Sequence, residues 1–192
     1  MKQQEFSGID FGVTTERLLL RPIVHDDALA IFKYRSDAET NRFQGWIPAI
    51  LEEVHYFIEH RIAKTFNLPD TWVQFAIILR SNGELVGDIG VHFIGSQNEQ
   101  IELGCTLHKI QQGNGYAREA LQKLIEFLFV EHEKEKLIVF IHPENKSSIR
   151  LFEGLGFVKE QTLLDVDDDL ELKFGLAAKD FLFRKRKDHS TK

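Results

Sequence analysis

The feature that most constrains this chain is Gln112-Gly113-Asn114-Gly115-Tyr116-Ala117, set between an apolar, strand-like run over 101–107 and a strongly periodic helical stretch that begins near Tyr116. Small residues let a backbone approach a ligand, and a helix that starts at once offers unpaired N–H groups and the positive end of its dipole. Strand, loop and helix start together make a cradle for a pyrophosphate. The loop excludes two common phosphate-binding designs. A dinucleotide fingerprint wants a small third residue in Gly-x-Gly-x-x-Gly, but counted from Gly113 that position is Arg118. A nucleoside-triphosphate loop ends in Gly-Lys-Ser or Gly-Lys-Thr, and neither occurs here.

Around this loop the pattern predicts a mixed, mostly antiparallel sheet with helices on both faces, an α/β (α+β) fold. Residues 17–21 alternate and are ended by Pro22, as in an edge strand. Asp26 and Asp27 then cap a helix to Arg35, and Ile50, Val54, Phe57, Ile58 and Ile62 predict a second helix over 50–66. Between them, 41–48 is a loop carrying Phe43, Trp46 and Ile47. Two β-rich runs, 72–79 and 85–93, are joined by a turn containing Asn82-Gly83, and 100–107 follows as a third antiparallel strand. After the loop, Ala117, Ala120, Leu121, Leu124, Ile125 and Leu128 form one helical stripe. Then come an apolar strand over 137–141, a short helix over 145–155 ended by Gly156, and a hairpin of 157–166 with 170–176 around Asp167, Asp168 and Asp169. No repeat or linker interrupts the 192 residues, so one domain is expected, with a core over about 14–177 and a tail over 178–192.

Composition agrees: 43% hydrophobic residues, with 16 Phe, supply an ample core. A single cysteine excludes an intrachain disulfide, and Met1-Lys2-Gln3-Gln4-Glu5 has no signal pattern, which predicts a cytoplasmic protein. No apolar run approaches the roughly 20 residues that cross a bilayer, so no membrane insertion is expected. A net charge of −6 disfavours direct nucleic-acid binding but attracts a cationic amine or a basic protein tail. No metal is expected, because His55 and His60 fall on different helix faces and no His-Glu-x-x-His occurs.

Gln112-x-x-Gly115-x-Ala117, followed by Asn145-x-x-Ser148-x-x-Leu151 and Leu155-Gly156-Phe157, resembles the acyl-CoA-binding core of the GCN5-related N-acetyltransferases (GNAT). Thr15-Glu16-Arg17-Leu18-x-Leu20-Arg21-Pro22 and Glu102-Leu103-Gly104 narrow the resemblance to the branch that contains the ribosomal-protein N-terminal acetyltransferases. It covers about 14–177, in the family's order and spacing. The resemblance implies six to seven strands splayed into a V-shaped cleft for acetyl-CoA. It also implies direct acetyl transfer to a primary amine, most of all a protein N-terminal amine of ribosomal-protein type. A small amine (polyamine, amino acid or aminoglycoside) as acceptor, and CoA binding without turnover, are the alternatives. Relatives are often homodimers, although nothing in this chain marks an interface.

Acetyl transfer needs a neutral amine, a held thioester and a proton for the departing thiolate. Gly113, Asn114, Gly115, Tyr116 and Ala117, with Gln112, are the diphosphate-binding residues. The resemblance gives the strand edge at Cys105, Thr106 and Leu107 to the pantetheine arm and thioester, with Gly104 as a bulge that opens the strand. Glu102 is the leading acid/base if it faces the cleft; otherwise it is a solvent-facing or salt-bridged strand residue, and alternation does not distinguish the two. By resemblance Ser148 delivers a proton to the CoA sulfur and Asn145 binds the pantetheine, while both also suit a helix cap. Arg42, Phe43, Trp46 and Trp72 are expected over the acceptor. Cys105 without a partnering His reads as packing, and Cys105-Thr106 replaces an aromatic pair of many relatives. The tail residues Arg184-Lys185-Arg186-Lys187 read as a solvated end or a contact to ribosomal RNA, and the acidic hairpin tip as a polar turn or a lure for a cationic acceptor.

Overall fold

The computed structural model describes residues 12–95, 100–164 and 170–190. Among these, eight strands form one sheet in the order β1-β2-β3-β4-β5-β6-β8-β7. They are β1 (Val13–Thr14), β2 (Leu18–Pro22), β3 (Thr71–Leu79), β4 (Leu85–Ile94), β5 (Gln100–Leu107), β6 (Lys136–Ile141), β7 (Val158–Leu164) and β8 (Leu170–Ala177). The count exceeds the expected six to seven because the two-residue β1 is too short to carry an alternation signal. Every neighbouring pair is antiparallel except β5 and β6, which run parallel.

That parallel pair makes the cleft. β5 keeps β4 along its whole length, from Ile94↔Gln100 to Gly87↔Leu107, whereas its pairing with β6 is confined to Ile101↔Leu137 and Glu102↔Ile138. From Leu103 onward β5 has a strand on one side only, so the two halves of the sheet part there.

The sheet is sandwiched between two apolar clusters. Alternate residues of β3 serve each face: Val73, Phe75, Ile77 and Leu79 pack with Leu121, Leu124 and Ile125 of α3 (Tyr116–Glu126), while Ala76 and Ile78 pack with Ile31 and Tyr34 of α1 (Ala28–Arg35) and Val54 of α2 (Leu51–Tyr56). A strand covered on both faces becomes nearly continuously apolar, as β3 is. The stripe expected on α3 is the face that is buried, with Ala117 only partly covered.

Several local expectations change. The helix expected over 50–66 is α2 followed by one π-turn, Phe57–Arg61. It stops because the Ala63 N–H bonds the Trp72 carbonyl at 2.7 Å, so the chain joins the sheet instead of continuing the helix. Asp27 does not act as the side-chain cap of α1: its Oδ2 takes the Val24 N–H at 2.9 Å, and Arg21 holds both its oxygens at 2.6 and 2.7 Å. Residues 178–190, read as a tail, form helix α5 (Ala178–Ser190), which packs Phe181 on Phe129 and ties Lys185 to Glu126. Helix α4 (Lys146–Leu155) ends at left-handed Gly156 as expected. Asp165, Asp167, Asp168 and Asp169 lie outside the described residues. Among the described residues no helix is long and apolar enough to cross a membrane.

Candidate active site

Gly113 and Gly115 take φ values of 81° and 80°, in the left-handed region that a side chain resists. The first bonded N–H of the helix start is that of Glu119, to the Gly115 carbonyl at 3.0 Å, and among the described residues no acceptor meets the N–H groups of 113–118. Six consecutive donors are therefore free at the positive end of α3. The loop's own side chains shape it from behind: Gln112 Nε2 donates to the Leu107 carbonyl at 3.2 Å and Asn114 Nδ2 to the Gln111 carbonyl at 3.2 Å.

A clamp from the far end of the sequence fixes this start. Arg17 donates Nη1 to the Asn114 carbonyl at 3.0 Å, and Nε and its backbone N–H to Glu119 at 2.6 and 3.0 Å, while its guanidinium lies 4.7 Å above the Tyr116 ring. The Thr15 hydroxyl adds a 2.5 Å bond to the same carboxylate. Burial pushes the Glu119 carboxyl up, but the Thr15 and Arg17 donors outweigh it and hold it below its ordinary range. Thr15-Glu16-Arg17 thus has a physical role, and neither Arg17 nor Glu119 carried a local signal that named it.

A cleft of about 550 Å³ opens over this loop. It gathers Cys105, Thr106 and Leu107 from β5, Gln112, Gly113, Gly115, Tyr116 and Ala117 from the loop, and Asn145 and Ser148 from the start of α4. Asn114 does not line it. Arg42 and Phe43 line this cleft as well, not the acceptor side expected for them, because the 39–44 segment closes over the loop. Arg42 and Arg118 bring positive charge, with Arg118 anchored to the Gly154 carbonyl at 2.7 Å, while Lys109 is paired with Glu39 at 2.7 Å. Asn145 Oδ1 caps α4 by accepting the Ser148 N–H at 3.2 Å and the Ser147 hydroxyl at 3.0 Å. Ser148 lines the cleft, and among the described residues the buried Thr106 Oγ1 has no hydrogen-bond partner.

On the opposite side of β5 lies a second pocket of about 840 Å³, and Gln44 borders both. Trp46 and Trp72 wall it and Gly90 and Gly104 floor it. Gly104 is not a bulge: the ladder runs without a break through Gly90↔Gly104, so the opening of the strand comes from the loss of β6. Glu102 projects from this same face of β5 but lines neither pocket; its Oε2 lies 3.1 Å from His92 Nδ1, with Trp72 stacked on His92 at 4.6 Å. His92 escapes a reading of the sequence because its pairing with Glu102 depends on the β4–β5 register.

Residues 17–158 match the family model described as the acetyltransferase (GNAT) domain. The chain belongs to the GNAT acetyltransferase family. It is 31% identical over 154 residues to uncharacterized N-acetyltransferase p20 of Bacillus licheniformis, covering 80% of this chain and 85% of that one. A GNAT-family acetyltransferase from Bacillus anthracis superposes with a TM-score of 0.78 at 23% identity, over 88% of this chain and 99% of that one. A proposed ribosomal-protein-serine acetyltransferase from Vibrio cholerae gives 0.69 at 25% identity, over 88% and 98%.

As a GNAT enzyme the protein is an acetyl-CoA-dependent acetyltransferase. The residues fit that co-substrate: free N–H groups with Arg42 and Arg118 suit the diphosphate, and the unpartnered Thr106 hydroxyl suits an amide or thioester oxygen. A covalent route through Cys105 does not fit. Burial, reinforced by the Asp88 carboxylate, pushes its thiol up to about 12, so it holds its proton at neutral pH.

Proposed function

We propose that this GNAT enzyme transfers the acetyl group of acetyl-CoA directly to a primary amine, and that the acceptor is a protein N-terminal amine of ribosomal-protein type. One observation carries the transfer: Gly104 and Cys105, adjacent on β5, line the acceptor pocket and the cofactor cleft respectively. The two reactants then meet across one strand. A module that only binds CoA has no use for a second pocket at that point. The protein-acceptor reading is supported by the Thr15-to-Pro22 and Glu102-Leu103-Gly104 motifs and by the likeness at 25% identity to the ribosomal-protein-serine enzyme. A small-molecule amine is the second reading, favoured by the aromatic walls and by Glu52 and Glu53 at the same pocket. The single, protonated Cys105 is compatible with a cytoplasmic enzyme.

In this reading the loop N–H groups hold the diphosphate, and the open edge of β5 with the Thr106 hydroxyl orients the thioester carbonyl. Acetyl-CoA supplies the acyl group. The bound ammonium first gives one proton to solvent. As the neutral amine nitrogen bonds the acetyl carbon and the carbon–sulfur bond breaks, Glu102, oriented by His92, takes the nitrogen's next proton, directly or through one water. The Ser148 hydroxyl gives a proton to the sulfur and regains one from solvent, to which Glu102 releases the proton it took.

Thermal shift and thiol release test the reading together. Acetyl-CoA at 100 times its Kd should stabilise the fold by about 2.7 kcal/mol. Gly115→Glu puts bulk and negative charge among the free N–H groups and should abolish both that rise and thiol release. An undiminished rise in the variant would remove the loop from the site.

A further inference from the structure

Resting on the acetyl-transfer reading, we infer that the acceptor carries an ammonium group next to an aromatic or similarly flat apolar body, and is not a purely aliphatic amine. The inference comes from the floor, walls and charges of the second pocket.

The floor is a cross-strand row, Gln74–Gly90–Gly104. Glycine inside a strand weakens it and marks a place where something approaches the backbone closely. At Gly90 that something is protein: a Cβ there would sit 2.8 Å from Cζ3 and 3.0 Å from Cε3 of Trp72, so the missing side chain makes room for the indole. At Gly104 a Cβ would meet nothing within 4 Å, although the residue is half-buried. The space left there belongs to the pocket, beside the strand residue that begins the cofactor cleft.

The walls are two half-buried indoles, each stacked on another ring, and Phe57 lines the pocket beside Trp46. Trp46 stacks on Phe57 with centroids 4.6 Å apart and planes 20° apart, and Trp72 stacks on His92 at 4.6 Å and 10°. Stacking holds a flat apolar face toward the pocket at little further cost in side-chain entropy. An extended aliphatic chain gains nothing specific from such faces, whereas an aromatic body stacks on them and an adjacent ammonium gains a cation–π contact.

The charges favour a cation. Arg35 reaches the pocket, but Asp88 matches it at 2.5 and 2.9 Å. Glu52 and Glu53 line the pocket against Arg61, and Glu102 projects from the same face of β5, so among the described residues negative charge prevails and meets an ammonium.

The same chemistry arises in a peptide whose first residue is aromatic and in a free arylalkylamine. Thiol release should therefore be followed with a Phe-initiated peptide, a Ser-initiated peptide of otherwise equal sequence, phenethylamine and spermidine. We expect kcat/KM for one or both aromatic acceptors to exceed that for spermidine by at least ~10-fold, and the better of the two identifies the source. Gly104→Val should fill the floor and cut that kcat/KM by ~10-fold or more, while the acetyl-CoA-induced rise in Tm stays. Trp46→Leu, which keeps the floor open, should give a loss in the same direction and covers the case of a Gly104→Val chain that does not fold. Spermidine or the Ser peptide matching the aromatic acceptors, or full aromatic activity in either folded variant, overturns the inference while leaving acetyl transfer in place. Release from no amine at all, with acetyl-CoA still raising Tm, overturns the transfer reading and the inference with it.

Discussion

Glu102 shows what one residue's surroundings decide. In sequence it is a carboxylate on an alternating strand with two possible directions. In the fold it projects to the acceptor face, and His92 Nδ1, 3.1 Å away, fixes one of its oxygens. Removing a positioned general base typically costs 10²–10⁴ in rate. Glu102→Gln is therefore expected to lower kcat/KM by about 10² or more in thiol release, with the Kd for acetyl-CoA unchanged. His92→Phe keeps a ring for Trp72 to stack on but deletes the nitrogen; it should lower kcat with the KM for acetyl-CoA unchanged. Unaltered kcat in both variants would return Glu102 to a structural role. The turn before α3, by contrast, was legible in its backbone, because left-handed glycines and a helix start are local properties. Ser148 and Asn145 fall between: capping by Asn145 was readable, while the place of Ser148 on the cleft needed the fold around it.

At the scale of elements, the start of α3 depends on a clamp from the turn before β2, about a hundred residues away. Glu119 there is held below its ordinary value of 4.5, where burial opposes but the Thr15 and Arg17 donors win. A carboxyl depressed in the folded state adds stability above its unfolded value and loses it as pH falls through the folded one. The wild-type urea midpoint should thus drop as pH falls below about 4.5, and Glu119→Ala should flatten that part of the profile. The same variant should weaken acetyl-CoA binding, read by titration, because a loosened helix start presents its N–H groups less well. An identical acid profile in the variant would dismiss the clamp. Elements themselves were legible wherever periodicity was long, as in α3, and were overread in 50–66. There apolar spacing continued past Arg61, but the Trp72 carbonyl took the Ala63 N–H.

Across the whole molecule, the buried Asp88 joins α1 to the sheet. It accepts from Tyr34, from Arg35 and from Gln74, and it is 1% exposed. Burial and Asp88 together push the Tyr34 hydroxyl well up, so it stays protonated as a donor; burial would lower Arg35, but Asp88 more than offsets it. Removing one partner of such a buried pair typically costs about 3–5 kcal/mol. Asp88→Asn should therefore lower the urea midpoint by that equivalent with an unchanged slope, and a loss below about 1 kcal/mol would show that the pair bears no such weight.

By itself the sequence determined the order of elements, the glycine turn before the long helix, the apolar face of that helix and the membership that these imply, because each rests on contacts within a turn or a hairpin. Tertiary structure alone decided which face Glu102 takes, that His92 meets it, that Arg17 grips the loop and that β6 leaves β5 after Glu102. The reason is one of distance along the chain: propensity and periodicity act over a few residues, whereas the register between strands and the parting of a sheet are settled by packing among residues far apart in sequence.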